Sequence, residues 1–326
     1  MILVTILLVA FFATAAFSVD VSRMHLTNAE LRAATDAAAK AAVTKLALTR
    51  DIAAARLAAI QVAAANSVAG KPLILESQDI VFGRVQLQAN GPLLFVPGSM
   101  PYGAAQVRGR KLSSSPSGNV ALVFGGLLGK SAYDTEITAT AARLDRDVCL
   151  VLDRSGSMEG QKLADLKSGA VIFLNTLGTS SQPQLVGLAS YSTDSTLDQS
   201  LTSDRALVQQ KVNDMNADGW TNIGAGINTG RAILDGGRDP RFVEKVMVLM
   251  TDGIHNQATS PEDAAAAAKQ SNMVIHTLTF GADADQDRMR AIADLTGGTF
   301  HHAPDADALM QAFEDIARTI RTSLTQ

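Results

Sequence analysis

Three short stretches carry residue types that could do chemistry together: "DRSGSM", "GWTNIG" and "VLMTDG". They offer Asp153, Ser155 and Ser157, then Thr221, then Asp252, with no histidine or cysteine among these groups. Hydroxyls and carboxylates alone suit a hard divalent cation rather than zinc. Magnesium keeps several of its waters, so hydroxyls can ligate it directly while carboxylates hold the waters. An ion touched by so little negative charge stays electrophilic and can accept a carboxylate from another molecule. The competing reading is that these residues only cap helices, as Ser, Thr and Asp often do.

For the stretches to converge, each must sit at the end of a supporting element. From residue 147 onward, apolar runs "VCLVL", "QLVGLASY", "VMVLM" and "MVIHTLTF" alternate with amphipathic helical stretches such as "KLADLKSGAVIFLNTL" and "IGAGINTGRAIL". The chain closes on another, "ADALMQAFEDIARTIRTSL". Continuous apolar strands with helices between them predict an α/β fold, a doubly wound, mostly parallel sheet covered on both faces. Ligands of such sheets bind beyond the carboxyl ends of the strands, where the strand order reverses. Asp153 and Asp252 directly follow two of these strands, Gly156 allows a tight turn, and Thr221 precedes a helix.

Ahead of this domain the sequence predicts three further zones. Residues 1–19 are an uncharged apolar segment of about 18 residues, near the lower limit for a spanning helix. It reads as a membrane anchor through residues 1–18, the alternative being a signal peptide cleaved near "ATA" at 13–15. Residues 20–70 are alanine-rich and free of proline, and predict one long helix. Leu31, Thr35, Ala38, Ala42, Leu46, Thr49, Ala53, Leu57, Ile60 and Ala64 follow a 4, 3, 4 spacing, a straight packing stripe. Continuous with the anchor, that helix would be a rod on the order of 100 Å long. Such a rod needs a membrane, a homo-oligomer or a filament to cover it. Residues 71–146 alternate apolar runs ("LILES", "IVFGRVQLQ", "LLFV", "NVALVFG", "TEITATAARL") with turn sequences ("NGP", "SSSPSGN"), which predicts a small β-rich domain. The whole domain from 147 to 326 follows it.

"DRSGSM" is the DxSxS motif that this chain shares with von Willebrand factor A domains, and Thr221 and Asp252 stand where that family's other site residues belong. The resemblance covers 147–324. It implies a metal-ion-dependent adhesion site in a Rossmann-like fold, with Ser155, Ser157 and Thr221 ligating directly and Asp153 and Asp252 acting mainly through water. The ion implied is Mg2+, or alternatively Mn2+ or Ca2+, and the partner is a protein presenting an Asp or Glu carboxylate. The front part, with "SVDVSRMHLTNAELRAATDAAAKAA", "QDIVFGR" and "AAQVRGRK", resembles the TadG-like tight-adherence pilus assembly proteins of bacteria. That implies a cell-envelope or pilus location with the main domains outside the cytoplasm, although no basic leader precedes the apolar segment. Arg23, Arg32, Lys40 and Lys45 all follow that segment, which by the positive-inside rule favours the opposite topology. On that topology the A domain would be an assembly factor working with an AAA-type ATPase.

Other features exclude functions. A net charge of −4 and a pI near 5.7, with no basic cluster interleaved with aromatics, argue against a nucleic-acid partner. The single cysteine, Cys149, rules out an intrachain disulfide. "FGGLLGKS" nearly matches a phosphate-binding loop, but Phe124 stands at its first glycine and the residues after Ser131 read as a strand. "GAGINTG" is close packing at a helix start, and "GADADQD" is a helix cap, because Arg288 occupies the glycine position of a calcium loop. No Gly-x-Ser-x-Gly elbow surrounds either serine, and His255 alone among the histidines lies near the three loops, so no enzyme is expected. His276 reads as a core histidine, His301 and His302 as edge residues, and Trp220 as a rim aromatic.

Overall fold

The structure is a computed structural model that describes residues 2–86, 94–143, 145–179 and 184–321. It divides into two compact units, Met1–Arg143 and Leu144–Ser323.

The first unit is built on α1 (Ile2–Thr49) and α2 (Ile52–Ala65). Two small strands, β1 (Ser67–Val68) and β2 (Lys71–Pro72), lead to β3 (Ile80–Gln86), β4 (Leu94–Pro97) and β5 (Ala104–Lys111). The short hairpin β6 (Val120–Ala121) and β7 (Ala132–Tyr133) precedes β8 (Thr135–Ala142). An antiparallel sheet in the order β4-β3-β5-β8 packs β5 and β8 against α1. The start of α1 is long and apolar enough to cross a membrane, and its side chains are exposed, Ile2 at 80% and Phe12 at 63%.

The expected single rod is broken. Arg50 takes a left-handed φ of 53° and Asp51 caps a new helix by accepting from Ala53 N at 2.8 Å and Ala54 N at 3.3 Å. The chain turns back, α2 packs on α1, and Ala69 N reaches Glu30 Oε2 at 2.7 Å. The stripe therefore holds only as far as Leu46 of α1: Leu31, Thr35, Ala38, Ala42 and Leu46 are buried, while Thr49 is exposed. Beyond the break α2 buries Ala55, Ala59 and Ala63, while Leu57 is 54% exposed. "LILES" also forms no strand, and "NVALVFG" contributes only the two residues of β6. The "NGP" turn, Leu93 of "LLFV" and residues 322–324 of the closing helix lie outside the described residues.

The second unit runs β9 (Asp145–Asp153), α3 (Gln161–Gly178), β10 (Leu185–Tyr191), β11 (Ser195–Thr202), α4 (Arg205–Asn213) and α5 (Ile223–Asp235). It continues through β12 (Val243–Thr251), α6 (Pro261–Gln270), β13 (Met273–Phe280), α7 (Gln286–Thr296), β14 (Phe300–Ala303) and α8 (Ala306–Arg321). The sheet order is β11-β10-β9-β12-β13-β14, parallel except for β11. Alternate residues of β9 feed two cores: Val148, Leu150 and Leu152 face the α3, α4 and α8 side, while Cys149 and Val151 face α5, α6 and α7. The order reverses between β9 and β12, the strands that end in Asp153 and lead into Asp252.

The opposite end of these strands carries a buried ionic network. Asp147 Oδ2 accepts from Lys245 Nζ at 2.7 Å and from Arg238 N at 2.8 Å, and its Oδ1 from Arg238 Nε at 2.7 Å. His276 on β13 is buried, and its Nδ1 accepts from Thr299 N at 3.1 Å. Burial, followed by the positive charges of His301 and Arg146, holds its pKa down at about 4. Because that value lies below the roughly 6.5 of an unfolded histidine, the unfolded chain takes up the proton first. The stabilisation is therefore complete above the unfolded value and is lost as pH falls from there through about 4. The loss should reach roughly 3 kcal/mol. Urea midpoints measured across this window should fall more steeply for the native chain than for His276→Asn, which keeps an acceptor and does not titrate. Equal slopes would refute it.

Candidate metal centre

The last paired residues of β9 and β12 are Leu152 and Met250, so Asp153 and Thr251 emerge side by side. Thr251 Oγ1 donates to Asp153 Oδ2 at 2.7 Å, and Ser155 N donates to Asp153 Oδ1 at 2.8 Å. Asp153 is fully buried, and burial pushes its carboxyl up to about 6 against the pull of these hydrogen bonds. A cation beside it would favour the ionised form.

Backbone bonds tie the three loops together. Gly156 N donates to Gly219 O and Asp218 N to Arg154 O, both at 2.9 Å, and the Arg154 guanidinium pairs with Asp218. Thr221 N donates to Asn256 Oδ1 at 2.9 Å, while Asn256 N returns a bond to Thr221 O at 3.1 Å. Ser155 Oγ and Ser157 Oγ lie 3.1 Å apart, and Ser157 Oγ donates to Asp252 Oδ1 at 2.6 Å. Thr221 Oγ1 and Ser157 Oγ both lie close to Gly253. A Cβ placed on Gly253 would lie 3.5 Å from the first and 3.6 Å from the second.

All five sequence-derived residues thus lie on three interlocked loops at one end of the sheet. Helix capping does not account for them. The Ser155 side chain makes no cap hydrogen bond, the N-cap of α3 is Gly160, which has no side chain to cap with, and α5 is capped by Asn222. Among the described residues no group of three His, Cys, Asp or Glu side chains converges to hold a metal, so an ion here would rest on hydroxyls and two carboxylates.

Sequence reasoning missed three partners. Lys162 Nζ donates to Asp252 Oδ2 at 2.6 Å, Thr251 orients Asp153, and Asn256 fixes Thr221. Lys162 is in the first turn of α3, and nothing in "QKLADL" separates it from a solvated helix lysine. Thr251 and Asn256 flank Asp252 within a few residues, and adjacency was the one signal for them. His255 Nδ1 accepts from Ile223 N at 3.2 Å, so it braces the loops. At the rim, Trp220 and Ile254 are 64% and 61% exposed.

Residues 25–141 match the family model described as putative Tad-like Flp pilus-assembly. Over 53% of its length the chain is 25% identical to an uncharacterized protein of Synechocystis, covering 41% of that protein. It is 31% identical, over 53% of its length, to calcium-activated chloride channel regulator 1 of Bos taurus, covering 19% of that protein. The chain thus spans less than half the length of either relative. A solved von Willebrand factor type A protein from Catenulispora acidiphila is similar at 19% identity and a TM-score of 0.49, over 66% of this chain and 45% of that one. Residues 147–315, more than half of the chain, match the model of the von Willebrand factor type A domain, and the chain belongs to that family.

Proposed function

We propose that this chain is a binding protein of the cell envelope or pilus and not an enzyme. In this reading Ser155, Ser157 and Thr221 hold a divalent cation, Mg2+ or alternatively Mn2+ or Ca2+. Asp153 and Asp252 act mainly through its waters, and the ion takes an Asp or Glu carboxylate of a partner protein. The observation that carries the reading is the Ser157–Asp252 hydrogen bond, which joins loops 95 residues apart at the point where the strand order reverses. Ser157 donates its hydroxyl hydrogen bond to Asp252 and keeps lone pairs for an ion. When bound, the cation supplies a Lewis-acidic docking point for an anionic group. Exposed Trp220 and Ile254 supply apolar contact around it. The Tad-like region and the apolar start of α1 support the envelope or pilus location.

Trp220 is the single tryptophan and adjoins Thr221, so its fluorescence reads the site. Titration of the full chain with Mg2+, then with a peptide bearing one glutamate, should change that signal in two steps, both reversed by chelator. A signal unmoved by Mg2+, Mn2+ and Ca2+ would end the proposal.

Lys162 predicts a restraint on affinity. Its ammonium sits on Oδ2 of Asp252, the oxygen that Ser157 does not bond, where a cation and its waters must compete with it. Lys162→Met should tighten Mg2+ binding about tenfold, equivalent to about 1.4 kcal/mol. Weaker binding by that variant would instead make Lys162 the group that orients Asp252.

A further inference from the structure

The near-match to a phosphate loop, "FGGLLGKS", has a different occupant. Its first backbone N–H and the one before it are taken by this chain's own carboxylate: Val123 N donates to Asp20 Oδ1 at 2.7 Å and Phe124 N to Asp20 Oδ2 at 3.1 Å. Asp20 is buried although it directly follows the exposed apolar segment of α1. Two further bonds, one from the hairpin and one from the start of β8 that follows it, reach the same helix. Tyr133 Oη donates to Met24 O at 3.2 Å, and Thr135 Oγ1 to Asn28 Oδ1 at 2.8 Å. The contacts at residues 28, 24 and 20 of α1 fall one helical turn apart on one face. The β6–β7 hairpin therefore lies along α1 in the direction of the apolar segment, and of its residues bonded to α1 it is Val123 and Phe124, beside its tip, that come nearest that segment.

The side chains at this tip do not suit water. Val123 is 52% exposed and Phe124 38% exposed, and Lys130 is exposed at the base of the turn. Ile2–Val19 as helix spans about 27 Å at about 1.5 Å per residue, close to the roughly 30 Å of a bilayer's hydrocarbon core. Asp20 would then stand at the edge of the hydrocarbon, with the backbone of Val123 and Phe124 hydrogen-bonded to it. Apolar side chains beside a lysine at that depth match the headgroup–acyl boundary.

We propose that the Leu122–Lys130 loop is a second membrane contact, which inserts Val123 and Phe124 into the headgroup–acyl boundary of a phospholipid bilayer beside α1. Asp20 is its positioning residue. The proposal rests on the reading of Ile2–Val19 as a membrane-spanning segment. A helix with one span can tilt and rotate freely, and a second contact at one side of it would fix both.

The test uses the full chain in phospholipid vesicles, with Trp220→Phe as background and a single tryptophan reintroduced as Val123→Trp or as Phe12→Trp. The acyl chains are brominated either near the headgroup or near the terminal methyl. Val123→Trp should emit at a shorter wavelength than in detergent-free buffer and lose most of its fluorescence to the shallow bromines. Phe12→Trp should lose most of its fluorescence to the deep ones. Adding Asp20→Ala should abolish the Val123→Trp quenching and leave that of Phe12→Trp. If Phe12→Trp is quenched and Val123→Trp is not, the loop stands clear of the bilayer and this proposal falls while the span survives. If neither is quenched, the span itself is wrong and the loop contact falls with it.

Discussion

Replacing Asp153 with asparagine is expected to abolish the response of the protein to divalent cations while leaving it folded. Asparagine keeps the shape: its carbonyl can accept from Ser155 N, and its amide can donate to the hydroxyl of Thr251, which bonds the native carboxylate. What it removes is the buried negative charge at the centre of the three loops. If the native chain binds Mg2+, an ion at a hundred times its dissociation constant stabilises it by about 2.7 kcal/mol. That is a rise in melting temperature of roughly 5–10 °C for a domain of this size. The Asp153→Asn variant should show no rise with Mg2+, no change in Trp220 fluorescence, and no effect of chelator, while its far-ultraviolet circular dichroism is unchanged. A variant that still gains stability from Mg2+ would place the ion elsewhere.

The second large effect is expected at the opposite end of the same strands. Asp147 is fully buried and holds two cations, Lys245, whose side chain is 3% exposed, and Arg238. Such a network contributes little over a well-packed apolar substitute, because desolvation offsets the Coulomb attraction. Breaking it is another matter: Asp147→Ala leaves the Lys245 ammonium buried with its carboxylate gone. The expected loss is about 3–5 kcal/mol, or roughly 10 °C in melting temperature. Adding Lys245→Met should restore part of that loss by removing the stranded charge. A single variant within about 1 kcal/mol of the native chain would mean that water reaches the network. Neither substitution touches the loops at the other end, so cation titration of the double variant should match the native curve.

The central strands were legible because they are covered on both faces, so each is an unbroken apolar run bounded by polar loops. The convergence of Asp153, Ser155, Ser157, Thr221 and Asp252 followed from that, since parallel strands bring their carboxyl ends to one side. β11 left no such signal. It is an antiparallel edge strand, and "STLDQSLT" is mostly polar, with Leu197 51% exposed. The break at Arg50–Asp51 was hidden for a different reason. Alanine on both sides fits helix equally well, and only the N-capping role of Asp51 marks a new start. Lys162 escaped notice because its importance depends on a carboxylate 90 residues away. After "FGGLLGKS" the expected strand is present as β7 and β8, but the carboxylate that meets its first N–H, Asp20, is more than a hundred residues distant in sequence.

The geometry of β8 has a mechanical consequence. Thr135, at its start, is hydrogen-bonded to Asn28, and the strand leaves from there along α1 while pairing with β5 from Lys111↔Thr135 to Ala104↔Ala142. A pull applied between the apolar start of α1 and Ala142 is directed along the strand, at right angles to the hydrogen bonds of that ladder. The bonds are then loaded in shear and must fail together instead of unzipping one by one. Extension of this unit would be resisted at this ladder before the tension could peel the strand away.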